Sequence, residues 1–183
     1  MLFINTMLMW IIFFLIPVQI PFHLKTLGVE KNSLIGAAIA MSTAFSAISS
    51  ISYSRIKGRF GFLAVFSMGY LLMAAGFACI AISNTYLLVV IAMMLTGLGI
   101  GIMIPNTNMW VMKIAPPEIR GKEIGKLTTF WFFGQFLSPI IIFPVLNILS
   151  HSSTFMLASG FLFLLSIGFL VFHLSKPGKM VSR

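Results

Sequence analysis

Residues 86–112 read YLLVVIAMMLTGLGIGIMIPNTNMWVM and contain no charged side chain. A helix needs roughly 20 apolar residues to cross the hydrocarbon core of a bilayer, and this segment exceeds that length. The basic, proline-containing stretch KIAPPEIRGKEIGK follows it at residues 113–126. Because Pro116 and Pro117 cannot continue a helix, the chain must turn there. Residues 86–112 therefore predict a transmembrane helix that ends at a basic loop.

Five more apolar segments flank this predicted helix. Each is bounded by charged or turn-forming residues, and they lie at about 2–20, 34–53, 60–82, 127–149 and 154–174. The first segment lacks a basic start and a small-residue cleavage site, so we interpret it as a spanning helix rather than a signal peptide. The sequence predicts an all-α membrane protein, with six transmembrane helices in one membrane domain over residues 1–183.

The composition excludes a soluble globular enzyme. Of the 183 residues, 59% are hydrophobic and only 8% are charged, whereas a soluble domain carries about 25% charged residues. The single cysteine, Cys79, excludes an internal disulfide, and the three histidines are scattered along the chain. We therefore expect no metal site and no cofactor. His23 and His173 fall at predicted helix ends, where we interpret them as solvated structural residues.

The basic residues alternate with the apolar segments. Lys and Arg number 12 against 3 Asp and Glu, and ten of the 12 fall after the second, fourth and sixth segments: Arg55, Lys57, Arg59, Lys113, Arg120, Lys122, Lys126, Lys176, Lys179 and Arg183. Only Lys25 and Lys31 fall on the opposite side. Cytoplasmic loops are enriched in Lys and Arg, so we expect a multi-pass protein of the cell membrane (the inner membrane in a Gram-negative bacterium) with both termini cytoplasmic. A nucleic-acid surface would not alternate in this way, so we expect no nucleic-acid partner.

Small and polar residues inside the segments indicate how the helices pack. Gly97 and Gly101 form a GxxxG pair, and Gly134 and Ser138 repeat the spacing in the fifth segment; such residues let helices approach closely in lipid. Pro105 removes one hydrogen bond of its helix. The first, second, fourth and fifth segments carry the amides and hydroxyls, whereas the third and sixth are nearly all apolar. We therefore expect the third and sixth helices to lie outside against lipid.

The loops resemble those of the major facilitator superfamily. Residues 54–61, SRIKGRFG, resemble its short basic loop GRLxDRFGRR, with Gly58 where that motif has Asp. Residues 97–101, 105–106 and 134–139 resemble helices ten and eleven of such a transporter. The stretch from Pro116 through Arg120-Gly121 to Gly125 resembles the loop that joins those two helices. The resemblance implies the C-terminal six-helix half of a transporter, of the drug or metabolite efflux branch.

The resemblance also implies a mechanism and partners. A small-molecule substrate would move by alternating access between this bundle and a second six-helix bundle in the lipid bilayer. We expect the substrate pathway to include polar and aromatic residues inside the segments: Asn5, Gln19, Ser46, Asn106, Trp131 and Gln135. The loop residues implied in the conformational change are Arg55, Arg59, Gly61, Arg120 and Gly121. Glu30, Glu118 and Glu123 all lie in loops, so any proton coupling is expected to use carboxylates of the second bundle.

Several alternatives stay open at this point. The chain is either a truncated or split product, or a half-sized transporter that must pair. A non-transporting membrane subunit, or one driven by a separate ATPase, is the alternative function, since no GxxxxGK[ST] phosphate-binding motif occurs here. An intramembrane protease is excluded, because the sequence has no HExxH and no pair of aspartates within the apolar segments. We therefore expect no enzymatic activity.

Overall fold

A computed structural model describes residues 1–175, and these residues form helices joined by short turns. The elements are α1 (Leu2–Phe13), α2 (Leu15–Thr26), α3 (Asn32–Arg59), α4 (Phe62–Ala81), α5 (Tyr86–Ile114), a 3-10 turn (Pro117–Ile119), α6 (Arg120–Leu146) and α7 (His151–Leu174). Because α1 and α2 together make one span, Leu2–Thr26, the described residues contain six spans that are long and apolar enough to cross a membrane. The predicted fold class is confirmed.

The first span is interrupted at Phe14, between α1 and α2. Pro17 has no N–H to donate to the carbonyl of Phe13, four residues earlier, and its ring crowds that carbonyl. The span then continues through Pro21 and ends only at Gly28, whose φ of 79° is accessible to glycine. There the amides of Gly28 and Val29 donate back to the carbonyls of residues 25 and 24, the arrangement of a Schellman motif. The predicted first segment, about 2–20, is therefore shorter than the observed span, which continues to Thr26.

Two helices extend farther into the basic loops than their apolar segments do. Helix α3 continues to Arg59, beyond the expected end at residue 53, and α6 begins at Arg120 rather than at residue 127. Hydropathy marks only the part of a helix that lies in hydrocarbon. Charged and polar residues can continue the same helix into the interface, and only a turn signal such as Pro116–Pro117 ends it.

Contacts between residues near the helix ends show that the helices run alternately up and down. At one end, which we call the basic end, the ammonium groups of Lys57 and Lys113 lie 4.0 and 5.7 Å from the ring centre of Phe62. At the other end, which we call the histidine end, His23 Nε2 and Ser83 Oγ are 2.9 Å apart. There too, Tyr86 donates to the Leu34 carbonyl at 2.9 Å, and Phe22 stacks on His151. Lys176, Lys179 and Arg183 lie outside the described residues.

Helix α4 is the most buried of the six spans. Of its most apolar window, 67% is buried, against 11% for the span that contains α6. Phe66, Tyr70 and Phe77 are fully buried, and Phe66 and Tyr70 pack on Phe169 of α7. The expectation that this third segment lies outside against lipid is wrong. An apolar side chain packs against a neighbouring helix as well as against lipid, so hydropathy does not distinguish the two environments.

Serine hydroxyls join α4 to α7 inside the apolar region. Ser67 donates to the Ser166 carbonyl at 2.9 Å, and Ser166 donates to the Ser67 carbonyl at 2.8 Å. About two turns earlier on α7, Ser159 donates to the carbonyl of Ala74 of α4 at 2.8 Å. These hydroxyls satisfy their own hydrogen-bonding groups without water, which hydrocarbon does not provide. The pairing fixes the register of the two helices.

Helices α3 and α5 approach each other at glycine. A Cβ atom at Gly97 would overlap the backbone of Ser42, and one at Gly101 would overlap the backbone of Ser46. Pro105 cannot donate to the Gly101 carbonyl, and Ser50 of α3 donates to that carbonyl instead, at 2.6 Å. Pro105 leaves the Gly101 carbonyl without its helical hydrogen bond. Helix α3, which the glycines allow to approach closely, supplies the replacement through Ser50.

We expect Gly101→Ala to destabilise the bundle, by about 1–3 kcal/mol, because the added methyl group overlaps a backbone that cannot move independently. The measurement is thermal unfolding of the detergent-purified protein. Gly160→Ala on α7 is the matched control, since nothing lies within 4 Å of a Cβ atom there. The control should melt at or slightly above the parent temperature, because alanine favours the helix by about 1 kcal/mol. Equal melting of the two variants would contradict the proposed contact.

Candidate functional site

Asn106 joins three elements and has no exposed surface. Its Oδ1 accepts a hydrogen bond from the Tyr53 hydroxyl at 3.2 Å, and its Nδ2 donates to the Phe62 carbonyl at 3.0 Å. Tyr53 lies near the end of α3 and Phe62 begins α4. Both ends of the amide are thus used to hold helices together near the basic end.

Asn5 makes a similar link between α1 and α4. Its Oδ1 accepts a hydrogen bond from the Tyr70 hydroxyl at 2.7 Å, while its Nδ2 has no partner within residues 1–175. Tyr70 is not among the predicted site residues. Its hydroxyl group in the middle of a largely apolar helix was the signal that could have identified it, because such a group needs a partner in lipid.

Gln19 and Ser46 lie apart from these amides. Gln19 is buried in α2, and its position 14 residues beyond Asn5 puts it roughly 20 Å farther along the first span. Ser46 is half-buried on α3, where its backbone faces Gly101. The structure therefore distributes the predicted pathway residues along the bundle instead of gathering all of them at one place.

Trp131 of α6 stacks on Trp10 of α1. Their ring centres are 4.1 Å apart and the ring planes differ by 19°. Neither buried indole N–H has a hydrogen-bond partner among the residues that the structure describes. Gly134 permits the pairing, because a Cβ atom there would lie 2.5 Å from the Met7 carbonyl oxygen and 3.0 Å from the Cβ of Trp10. One turn from Trp131, Gln135 is half-buried on the same helix.

A small cavity of about 10 Å³ adjoins the two indoles, between α1, α5 and α6. Its lining consists of Thr6, Met9, Trp10, Ile104, Thr107, Asn108, Leu127 and Trp131. The volume is close to that needed by one water molecule. We call the polar and aromatic part of this lining the tryptophan site: Trp10, Trp131, Thr6, Thr107 and Asn108.

The tryptophan site offers aromatic surface and neutral hydrogen-bonding groups. It combines two aromatic faces, two unpartnered N–H donors and one half-buried amide, and none of its residues is charged. The hydroxyls of Thr6 and Thr107 donate to carbonyls of their own helices, at 3.0 and 2.8 Å, so their oxygens remain available as acceptors. Within residues 1–175, no three His, Cys, Asp or Glu side chains come together as metal ligands would.

The predicted loop residues all lie at the basic end. Arg55 and Arg59 are exposed near the end of α3, and a Cβ atom at Gly61 would contact the His173 ring at 3.6 Å. Arg120 donates from Nε to the Ala115 carbonyl at 3.3 Å, which closes the turn before α6. Gly121 has open space around it. The two loops are neighbours through Lys57 and Lys113, which share the Phe62 ring, and within residues 1–175 the ion pair present, Lys126–Glu123, does not join them.

Comparison with known proteins relates the whole chain to membrane transporters. The family whose model matches is described as Major Facilitator Superfamily, and the match covers residues 1–183. A crystal structure of the peptide transporter POT in complex with sulfate has a TM-score of 0.80 and 20% identity, and covers 100% of this chain and 39% of that one. A POT family transporter in complex with a thioalcohol-conjugated peptide has a TM-score of 0.79 and 19% identity, and covers 98% and 38%.

A curated relative is the proton myo-inositol cotransporter of Homo sapiens. It is 28% identical over 110 residues, which are 60% of this chain and 16% of that protein. The chain thus spans less than half the length of the proteins that it matches. Six apolar spans and these relatives indicate a multi-pass membrane protein, and the likeness to the solved structures establishes the fold.

We expect Asn106→Ala to lower the free energy of unfolding by about 1–3 kcal/mol, because it removes the second hydrogen bond to the Phe62 carbonyl and leaves the buried Tyr53 hydroxyl without its partner. Asn108→Ala, two residues away, should change stability by less than about 0.5 kcal/mol, as is usual for a side chain outside such a network. Thermal unfolding of both purified variants makes the comparison. A lower melting temperature for Asn108→Ala than for Asn106→Ala would contradict the stabilising role of Asn106.

Proposed function

The chain belongs to the major facilitator superfamily, and we propose that it forms one six-helix bundle of a transporter that moves a small molecule by alternating access. The observation that carries this proposal is coverage: all of this chain superposes on 39% of a solved transporter, which is less than half of that chain, and transporters of this kind consist of two bundles. The loop residues resemble those of the second half, so we assign the chain to the C-terminal bundle.

A second six-helix bundle would cover the faces of α3 and α6 that this chain leaves open. Helix α6 exposes Phe132, Phe136 and Phe143 to at least 62% each. Helix α3 exposes small residues at helical spacing instead: Gly36, Ala37, Ala40, Ala44 and Ala47. A face of small residues lets another helix approach its backbone closely. The second bundle is either another part of a longer protein or a second copy of this chain.

We propose that substrate contacts the tryptophan site and Gln135. The site lies between α1, α5 and α6, next to the open face of α6 where the second bundle would pack. Indole faces stack on flat rings and attract organic cations, and the 13 methionines of the chain supply adaptable apolar surface. These properties suit a drug or metabolite exporter with aromatic substrates. Asn106, by contrast, serves to position α3, α4 and α5.

The basic end faces the cytoplasm in this proposal. This end carries Arg55, Arg59 and Arg120, whereas Lys25 and Lys31 are the lysines at the histidine end, where the described residues include no arginine. We propose that Arg55, Arg59 and Arg120 anchor this end and contact the second bundle when the transporter changes conformation.

Cysteine labelling tests the orientation. In a Cys79→Ser background, which removes the one cysteine of this chain, Asn84→Cys should react with a membrane-impermeant maleimide in intact cells. Lys122→Cys should react only after the membrane is permeabilised. Both positions are exposed at opposite ends of the bundle, so the reverse labelling pattern would invert the proposed topology.

A transport assay tests the function and the site together. Cells that express the full-length transporter should accumulate less ethidium, a flat aromatic cation, than cells with an empty vector. Trp131→Ala should reduce this export about tenfold, the equivalent of roughly 1.4 kcal/mol of lost binding, and Trp131→Phe should retain more of it because a ring remains. Gln135→Ala should also lower export without lowering the amount of protein in the membrane.

Trp110→Phe is the matched control for the tryptophan variants. Trp110 stacks on Phe62 at 5.3 Å and does not line the small cavity. Its replacement should leave ethidium export unchanged at equal membrane abundance. Equal export by Trp131→Ala and the parent protein would remove the tryptophan pair from the substrate site, while equal accumulation in all cells would reject ethidium export itself.

A further inference from the structure

His23 is buried at the histidine end, with 2% of its surface exposed. Its position at the end of an apolar segment predicted a solvated residue, and that prediction is wrong because α2 continues to Thr26 and packs beside Ser83 and Phe155. The two nitrogens of a buried imidazole differ in their hydrogen-bond partners and in whether they carry a hydrogen, so we consider each in turn.

The hydrogen bonds around Ser83 determine the tautomer of His23. The Ser83 hydroxyl donates to the Ile80 carbonyl at 2.7 Å, and a hydroxyl has one hydrogen to donate. With that hydrogen used, we assign the hydrogen of the 2.9 Å contact between Ser83 Oγ and His23 Nε2 to Nε2. In neutral His23 the other nitrogen, Nδ1, then carries a lone pair and no hydrogen.

The Nδ1 atom of His23 is buried and has no hydrogen-bond partner within the described part of the chain. A second imidazole lies at the same end: His151, the first residue of α7, also has a buried Nδ1 without a partner there. His151 stacks on Phe22, and Phe155, one turn later on α7, meets the His23 ring edge-on at 5.7 Å. Two buried imidazole nitrogens without a hydrogen-bond partner in residues 1–175 thus lie between α2 and α7.

We propose that His23 Nδ1 is a proton-binding site whose occupancy opens the histidine end of the bundle. In the packing described here, a proton on Nδ1 would create a buried cation with an N–H group that has no acceptor. Such a group costs several kcal/mol unless water or a partner reaches it. Separation of α2 from α4 and α7 admits that water, so the protonated form favours the open end and the neutral form favours the closed one.

The neighbouring groups do not offset this charge. Helix α4 and its connection contribute Ser83 and the Ile80 carbonyl, and α7 contributes His151, whose protonation would add repulsion. On its own side, Lys25 of α2 and Glu30 and Lys31 of the next connection are all exposed. The other two acids of the chain, Glu118 and Glu123, lie at the basic end. Acidification therefore drives this end toward opening.

With His23 as a proton-binding site, the bundle has a titratable group although its apolar segments contain no carboxylate. The meaning of this proton for transport rests on the proposed alternating-access function. The opening itself is a property of the histidine end and is measurable without a substrate.

Distance measurement between spin labels tests the opening. In the full-length transporter with Cys79→Ser, labels at Lys25→Cys and Asn84→Cys mark the exposed surfaces of α2 and of the connection after α4. Between pH 8 and pH 5.5, the longer-distance population should rise about tenfold. His23→Gln keeps an N–H donor for Ser83 but cannot be protonated, so it should remain closed at both pH values. His173→Gln, at the basic end, should respond as the parent does.

Two results overturn the proposal: no change of distance with pH in the parent, or the same change in His23→Gln. Should His23→Gln fail to fold, nitrogen NMR of ¹⁵N-histidine-labelled parent protein gives an independent reading. The Nδ1 resonance of His23, assigned with His151→Gln and His173→Gln, should be that of an unprotonated nitrogen at pH 8 and should move toward that of a protonated nitrogen as the pH falls to 5.5. An unchanged resonance rejects the site, and the ethidium assay reports on the transport function separately.

Discussion

The bond from Ser50 to the Gly101 carbonyl stands at the centre of this bundle, because hydrocarbon offers no other partner for that group. Pro105 frees the carbonyl, and Gly97 and Gly101 let α3 come near enough to satisfy it. With α3 held there, the Tyr53 hydroxyl reaches Asn106 at 3.2 Å. The proline, the glycines and the serine thus act together, and the positions of α3, α4 and α5 depend on their contacts.

The polar groups of the bundle fall into two sets. Asn106 and Tyr70 are engaged by neighbouring helices and hold them in register. The indole N–H groups of Trp10 and Trp131 and the Nδ1 atom of His23 have no such partner among residues 1–175. A buried group without a partner is costly, so groups of the second set are where a ligand or a proton has most to contribute. The two proposals above rest on that difference.

Local patterns predicted the architecture well and the surroundings of individual side chains poorly. Six spans follow from apolar length, and the alternation of basic residues predicted which connections lie together, as the shared Phe62 contact of Lys57 and Lys113 shows. The interior position of α4 was missed, because Phe66 and Phe77 have the same hydropathy whether they face lipid or a helix. The end of α2 was missed because Gly28, and not the last apolar residue, ends that helix.

The sequence by itself determined the membrane class, the helix count, the alternating ends and the family resemblance, since each depends on properties that neighbours along the chain share. Only the tertiary structure decided which polar groups are free. Trp10 and Trp131 are far apart in the sequence, and they stack because Gly134 lets α1 and α6 meet. The tautomer of His23 follows from a serine 60 residues away. Such pairings depend on how the helices pack across the bundle, and the spacing of residues along the chain does not specify that packing.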